Sequence, residues 1–266
     1  MKQGKINNQT PFLSHLEALR WHLIRSSIAV FIGMIVAFFW RDADGELVVM
    51  QIIFALKDFA TFPTYSFLCS LDNYWCAENM SVELINTKIT TQVTGTVFIV
   101  FISGVIISFP YLLMELWFFV SPALYKTEKL YSMLVFFISL SLFLFGILFG
   151  YYLLAPVSVL FFIDWEAHGD INNLIEFMSY VNTVGKFILG TGIMFQFPVV
   201  IYFLTKFGLV TPQQLRQYRR HAFVVILIMA SVFTPPDIFS QILIGLPIYL
   251  LYEISILVAS ITSRKK

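Results

Sequence analysis

Three polar side chains stand in or beside long uncharged stretches: Lys186, Gln196 and Glu253. Groups of this kind are expensive to hold among apolar neighbours. They mark ion or solute pathways, clasps between helices, or docking points for a further helix. Gln196 has the amide chemistry for a clasp or a docking point, and unlike a carboxylate it does not titrate. Lys186 opens an apolar run and has the stem length to snorkel outward, while Glu253 lies late in the last run. Lining one central path, the three would suit a secondary transporter. Catalytic patterns are missing: the chain has no H-E-x-x-H, no G-x-S-x-G turn and no G-x-x-x-x-G-K phosphate loop. The histidines, His15, His22, His168 and His221, are scattered, so neither a metal nor a cofactor is expected and the protein is not read as an enzyme.

The elements that must position these groups follow from composition. Of 266 residues, 58% are hydrophobic and 12% charged, about half the charged fraction of a soluble domain. That excludes a soluble enzyme, and a net charge of +1 without a basic patch excludes a nucleic-acid binder. The fold class expected is all-α: a single polytopic membrane domain over residues 1–266 with six transmembrane helices. A crossing helix needs about 20 apolar residues, and the uncharged runs give spans at 24–40, 93–114, 131–156, 187–205, 221–234 and 238–261. Glu115 stops the second span. Pro156 ends or kinks the third, since proline removes a donor and clashes one turn back. Spans five and six are joined only by Thr234-Pro235-Pro236-Asp237, where two prolines stop one helix and Asp237 caps the next. The fifth and sixth helices are expected to be short, and a hairpin that fails to reach the far interface thins the bilayer around it. The first apolar run begins near residue 23 with no small-residue cleavage site after it, against a cleavable signal peptide.

Charge sets the orientation. The N-terminal, second-loop, fourth-loop and C-terminal segments hold Lys2, Lys5, Arg20, Arg25, Lys126, Lys129, Lys206, Arg216, Arg219, Arg220, Arg264, Lys265 and Lys266, with only Glu17, Glu115 and Glu128 as acids. The other three loops are mostly acidic. By the positive-inside rule both termini are cytoplasmic and the loop 41–92 is external. Cys69 and Cys76 fall in that loop, where an oxidising exterior permits a disulfide, the alternative being two unpaired thiols. Thr10-Pro11 reads as a helix start, opening an amphipathic segment through Leu23 at the cytoplasmic interface. Thr211-Pro212-Gln213-Gln214 is a cleaner start signal, a capping box opening a basic helix that feeds into span five.

Several strings occur in a specific order. They are H-L-x-x-L-R at His15 to Arg20, S-P-A-L-Y-K-x-E at Ser121 to Glu128, and an F-G-x-x-F-x-Y-x-x-x-P-like stretch around Gly146 to Pro156. G-x-x-F-Q-x-P at Gly192 to Pro198, T-P-P-D-x-x-S-Q at Thr234 to Gln241 and P-x-x-L-L-Y-E at Pro247 to Glu253 complete the series. With the six-helix layout, the sequence resembles the TatC family, core subunits of the twin-arginine protein translocase, over nearly its whole length. The resemblance implies a receptor for signal peptides carrying adjacent arginines, working with TatA- or TatB-like single-span subunits. It implies export of folded proteins on the proton-motive force, by a complex holding several copies of this chain in a bacterial inner membrane.

The resemblance also gives residues roles. Glu128 matches the family's acidic residue for the arginine pair, and a carboxylate at a partly desolvated interface takes a guanidinium in fork geometry. Phe119, Pro122, Leu124 and Tyr125 match the loop that shapes the pocket. The family's other carboxylate lies two residues before Arg20, where this chain has Ala18. Glu17 is adjacent but about 100° away around a helix. Either Glu17 substitutes through a tilted helix, with Arg20 beside it, or recognition leans on Glu128. Gln196 stands where the family commonly has glutamate and is implied as the docking point for a single-span partner.

Overall fold

Apart from one pair of two-residue strands, the elements of the computed structural model are helices; it describes residues 11–57, 63–65, 84–120, 129–164, 174–233 and 238–264. In chain order these are α1 (Pro11–Phe39), α2 (Val48–Ala55), β1 (Leu84–Ile85), α3 (Thr91–Val120) and α4 (Lys129–Phe149). A π-helical turn, Gly150–Leu154, leads into α5 (Ala155–Asp164). Then come β2 (Ile175–Glu176), α6 (Phe177–Met194), α7 (Phe197–Lys206), α8 (Pro212–Gln217), α9 (Arg219–Phe233) and α10 (Ile238–Arg264).

Among the described residues, five helical runs are long and apolar enough to cross a bilayer: Glu17–Phe39, Thr91–Phe119, Met133–Ile163, Phe177–Lys206 and Gln241–Ile261. The fifth expected span corresponds to α9, whose 15 residues reach about 22 Å at 1.5 Å per residue, less than the roughly 30 Å of a hydrocarbon core. A short sixth helix is not what the structure has. α10 continues through 27 residues with Pro247 in its interior, since apolar surroundings tolerate a proline that neighbouring helices support. The segment ahead of the first span is continuous with it, since α1 runs unbroken from Pro11 to Phe39.

Three further boundaries depart from the sequence reading, each for a local reason. The second run passes through Glu115 to Val120, because that carboxylate finds one partner on a facing helix and another a turn back on its own. The third is neither ended nor left with an orphan at Pro156. The π turn precedes it, and the Tyr152 carbonyl, four residues before the proline and so denied its usual donor, accepts from the Thr64 hydroxyl. The fourth begins ten residues earlier than 187 and breaks at Phe195-Gln196, just before Pro198. Lys186 therefore stands ten residues into that run, exposed, and not at its opening.

Packing sets the two ends of the molecule. α1 lies along α3 through a stripe of small or short side chains, Ala29, Gly33 and Ala37, with Gly104 and Ser108 opposite. Ser108 donates to the carbonyls of both Ala29 and Gly104, at 2.7 Å each, as is common where transmembrane backbones approach closely. At one end, the carbonyls that close α2 would lack donors. They are taken instead by phenols: Tyr151 to Ile52 at 2.8 Å, Tyr180 to Ile53 at 3.1 Å and Tyr65 to Leu56 at 3.0 Å. Burial pushes the Tyr65 phenol above its usual range, so it stays a donor. β1 pairs in parallel with β2 beside this cap, Leu84 opposite Ile175 and Ile85 opposite Glu176, and Thr87 donates to Glu176 at 2.5 Å. The opposite end of α1 and α3 holds the polar cluster described next.

Candidate functional site

α1 and α3 run antiparallel, so the first turns of α1 meet the last turns of α3. On α1 the positions turned towards its neighbour recur at Ala18, His22, Ser26, Ala29 and Gly33, the spacing of one helical face. Glu17 and Arg20 lie off that face and are exposed. From α3, Glu115 reaches across: its Oε2 lies 2.5 Å from His22 Nδ1, and its Oε1 accepts from the Tyr111 hydroxyl at 2.7 Å. Tyr111 is one turn before Glu115 and Phe119 one turn after it, so all three share a face. Phe119 meets the His22 ring edge-on, centroids 5.9 Å apart and planes at 72°. Glu115 is only 4% exposed. A carboxylate so buried needs compensation, and the imidazole and phenol supply it.

Of the residues singled out from sequence, Glu17, Arg20 and Phe119 thus lie at the same end of the α1–α3 pair, with Glu17 and Arg20 exposed and off the contact face. Glu128, Pro122, Leu124 and Tyr125 lie outside the described residues, as do Cys69, Cys76, Pro235, Pro236 and Asp237. Glu115, which reads in sequence as the charge that stops a span, is the residue sequence reasoning missed. The signal was present in its register, since Tyr111, Glu115 and Phe119 follow at steps of four in an otherwise apolar helix.

Among the described residues the three polar groups of the apolar runs do not contact one another. Gln196 sits at the break between α6 and α7, half-buried, and closes a two-way clasp with Ser139 of α4. Its Nε2 donates to the Ser139 carbonyl at 3.0 Å, and its Oε1 accepts from the Ser139 hydroxyl. Glu253 of α10 pairs with Arg219 at the start of α9 at 2.7 Å and accepts from Tyr249 at 3.3 Å. Lys186 faces outward on α6. Near the Arg219 pair, the start signal at Thr211 forms as a full capping box: Gln214 N–H donates to the Thr211 hydroxyl at 3.3 Å, and Thr211 N–H to the Gln214 side chain at 2.9 Å. α8 does not feed directly into α9; Tyr218 interrupts them. Among the described residues no three His, Cys, Asp or Glu side chains gather where they could hold a metal.

The family profile described as Sec-independent protein translocase protein (TatC) matches residues 14–247. The chain belongs to the TatC family. It is 36% identical to the Sec-independent protein translocase protein TatC of Blattabacterium sp. subsp. Periplaneta americana (strain BPLAN), each chain being covered in full. It is 30% identical to TatCy of Bacillus subtilis (strain 168), over 97% of this chain and 92% of that one. The crystal structure described as twin arginine translocase receptor TatC superposes with a TM-score of 0.75 at 29% identity, covering 94% of this chain and 99% of that one. As a TatC protein the chain is an integral membrane component of the Sec-independent, twin-arginine translocase, with a role in transport and not in catalysis, and it associates with Tat subunits.

Proposed function

We propose that this TatC subunit is the receptor for twin-arginine signal peptides and the platform on which single-span TatA- or TatB-like subunits dock during proton-motive-force-driven export of folded proteins. The observation that supports the reading is the convergence of α1 and α3. It sets His22 beside Phe119, with Glu17 and Arg20 exposed on the same end of α1, and α3 then leads into the stretch that carries Glu128. Glu128 takes a guanidinium in fork geometry, helped by Glu17 and Arg20, while Phe119, Pro122, Leu124 and Tyr125 shape the pocket. The chain is one membrane domain over 1–266, crosses a bacterial inner membrane six times with both termini cytoplasmic, and works as several copies. Within the external loop 41–92, a Cys69–Cys76 disulfide closes six intervening residues. Pro235, Pro236 and Asp237 form the tight turn between α9 and α10, and the 15 residues of α9 favour local thinning of the bilayer.

Pull-down from membranes with a twin-arginine signal peptide and its Lys-Lys variant tests this. A guanidinium fork is lost on the lysine peptide, so recovery is expected to drop at least about tenfold, equivalent to roughly 1.4 kcal/mol. Equal recovery with both peptides would sink the receptor reading.

Gln196 is proposed as the docking point for a single-span partner, supported by its half-exposed amide at a helix break. Gln196→Leu is expected to lower co-purification of that partner severalfold, because a side-chain hydrogen bond between helices is worth about 1 kcal/mol. Full recovery of the partner together with a lowered unfolding temperature would make Gln196 a clasp to Ser139 and nothing more.

A further inference from the structure

Along the exposed apolar side of their contact, α1 and α3 leave a groove of about 440 Å³, within the roughly 300–1,000 Å³ of sites that hold small ligands. Buried Gly33 and Ser108 form its floor, and the exposed side chains of Ile28, Ile32, Val36 and Ile107 form its walls. Its polarity is one-ended. Arg25 stands at one end, exposed, and makes no hydrogen bond or ion pair among the described residues. Glu115 lies within its electrostatic reach, but that carboxylate is engaged by His22 and Tyr111. The Ser108 hydroxyl on the floor is spent on the carbonyls of Ala29 and Gly104. Trp21, exposed and one turn before Arg25, adds an amphipathic ring at the same end. From Arg25 to Val36 the helix rises about 16 Å at 1.5 Å per residue, close to half the roughly 30 Å of a hydrocarbon core. The groove therefore has the depth of one leaflet, with a permanent cation and an indole where headgroups lie. A crossing helix is polar at both ends, whereas a lipid, like the groove, is polar at one.

We propose that this groove binds an anionic glycerophospholipid, its phosphate on Arg25 and one acyl chain laid along Ile28, Ile32 and Val36. The guanidinium fork matches phosphate oxygens and gains charge-assisted hydrogen bonds from them. The phosphate in turn supplies the anion that Arg25 lacks at the edge of an apolar run, where an uncompensated charge is costly. The acyl chain fills the space above Gly33 and Ser108, so the lipid braces the α1–α3 pair from outside. The site is independent of the receptor role.

The test places the full-length chain in nanodiscs containing phosphatidylglycerol or phosphatidylcholine, each with the same photoreactive acyl chain, and maps the labelled residues by mass spectrometry. Labelling in the groove, relative to labelling elsewhere on the protein, is expected to favour phosphatidylglycerol about fivefold, the factor that one basic side chain supplies at an anionic surface. Arg25→Gln is expected to bring the two lipids level, and Arg25→Lys to keep part of the preference. Val36 is half exposed, so Val36→Phe fills the deep end of the groove from outside the α1–α3 contact. Labelling there is expected to fall severalfold with both lipids. Equal labelling by the two lipids in the wild-type groove, or a preference that survives Arg25→Gln, overturns the proposal. Labelling unchanged by Val36→Phe overturns it as well, and a loss of a co-purifying single-span partner in that variant would make a helix the occupant.

Discussion

Glu128→Ala is expected to abolish crosslinking of a twin-arginine signal peptide while leaving the subunit folded in the membrane. The size of the effect follows from what the carboxylate does. A guanidinium that leaves water for a partly desolvated site and finds no anion there costs about 2–5 kcal/mol, or tens- to thousands-fold in affinity. Graded substitutions separate charge from shape. Glu128→Asp keeps the charge but withdraws it by one methylene, so part of the binding survives. Glu128→Gln keeps the shape and loses the fork of two anionic oxygens, so it behaves like alanine. Crosslinking of the Glu128→Ala variant at the wild-type level would remove Glu128 from the site.

Periodic and compositional features were legible in the sequence, and features decided by a distant partner were not. The capping box at Thr211 forms as read, because threonine, proline and glutamine at those spacings satisfy backbone donors within a single turn. The short α9 was legible for the same reason, its limits being set by the charges of Arg219-Arg220 and the prolines after Phe233. Pro156 misled because its effect depends on Thr64, 92 positions away, which takes the freed Tyr152 carbonyl. Lys186 misled because polar residues such as Asn182 and Thr183 dilute hydropathy ahead of it, although the helix already runs there. Glu115 was misread for the deepest reason: a charge in an apolar run looks like a boundary until the residue opposite it is known. His22 is 93 positions away in sequence and 2.5 Å away in space. In the candidate site, then, the exposed Glu17 and Arg20 could be named from the chain alone. The His22–Glu115 contact could be named only once α1 and α3 were side by side.

The same packing makes the site depend on a residue with no polar atom in its side chain. Gly33→Val is expected to destabilise the subunit and to lower twin-arginine peptide binding together. A Cβ at Gly33 would collide with the Ser108 hydroxyl and with the Gly104 carbonyl oxygen. The serine can rotate away, at the loss of its bonds to Ala29 and Gly104, but a backbone carbonyl in mid-helix cannot. The helices must separate, and overpacking of this kind costs about 1–3 kcal/mol, or more where backbone resists. Separation at Gly33 is felt at His22, three turns along the same face of α1, where the contact to Glu115 tolerates little widening before it ceases to be a hydrogen bond. Ser108→Gly in the Gly33→Val background relieves one of the two collisions, so it is expected to restore stability in part and not in full. Ile32→Val, next door but exposed, should change stability by no more than about 0.5 kcal/mol. The checks are the unfolding temperature in detergent and peptide crosslinking on the same preparations. A Gly33→Val protein that unfolds at the wild-type temperature and binds the peptide normally would mean that α1 and α3 need not touch, and that the end of their contact is not where an arginine pair is read.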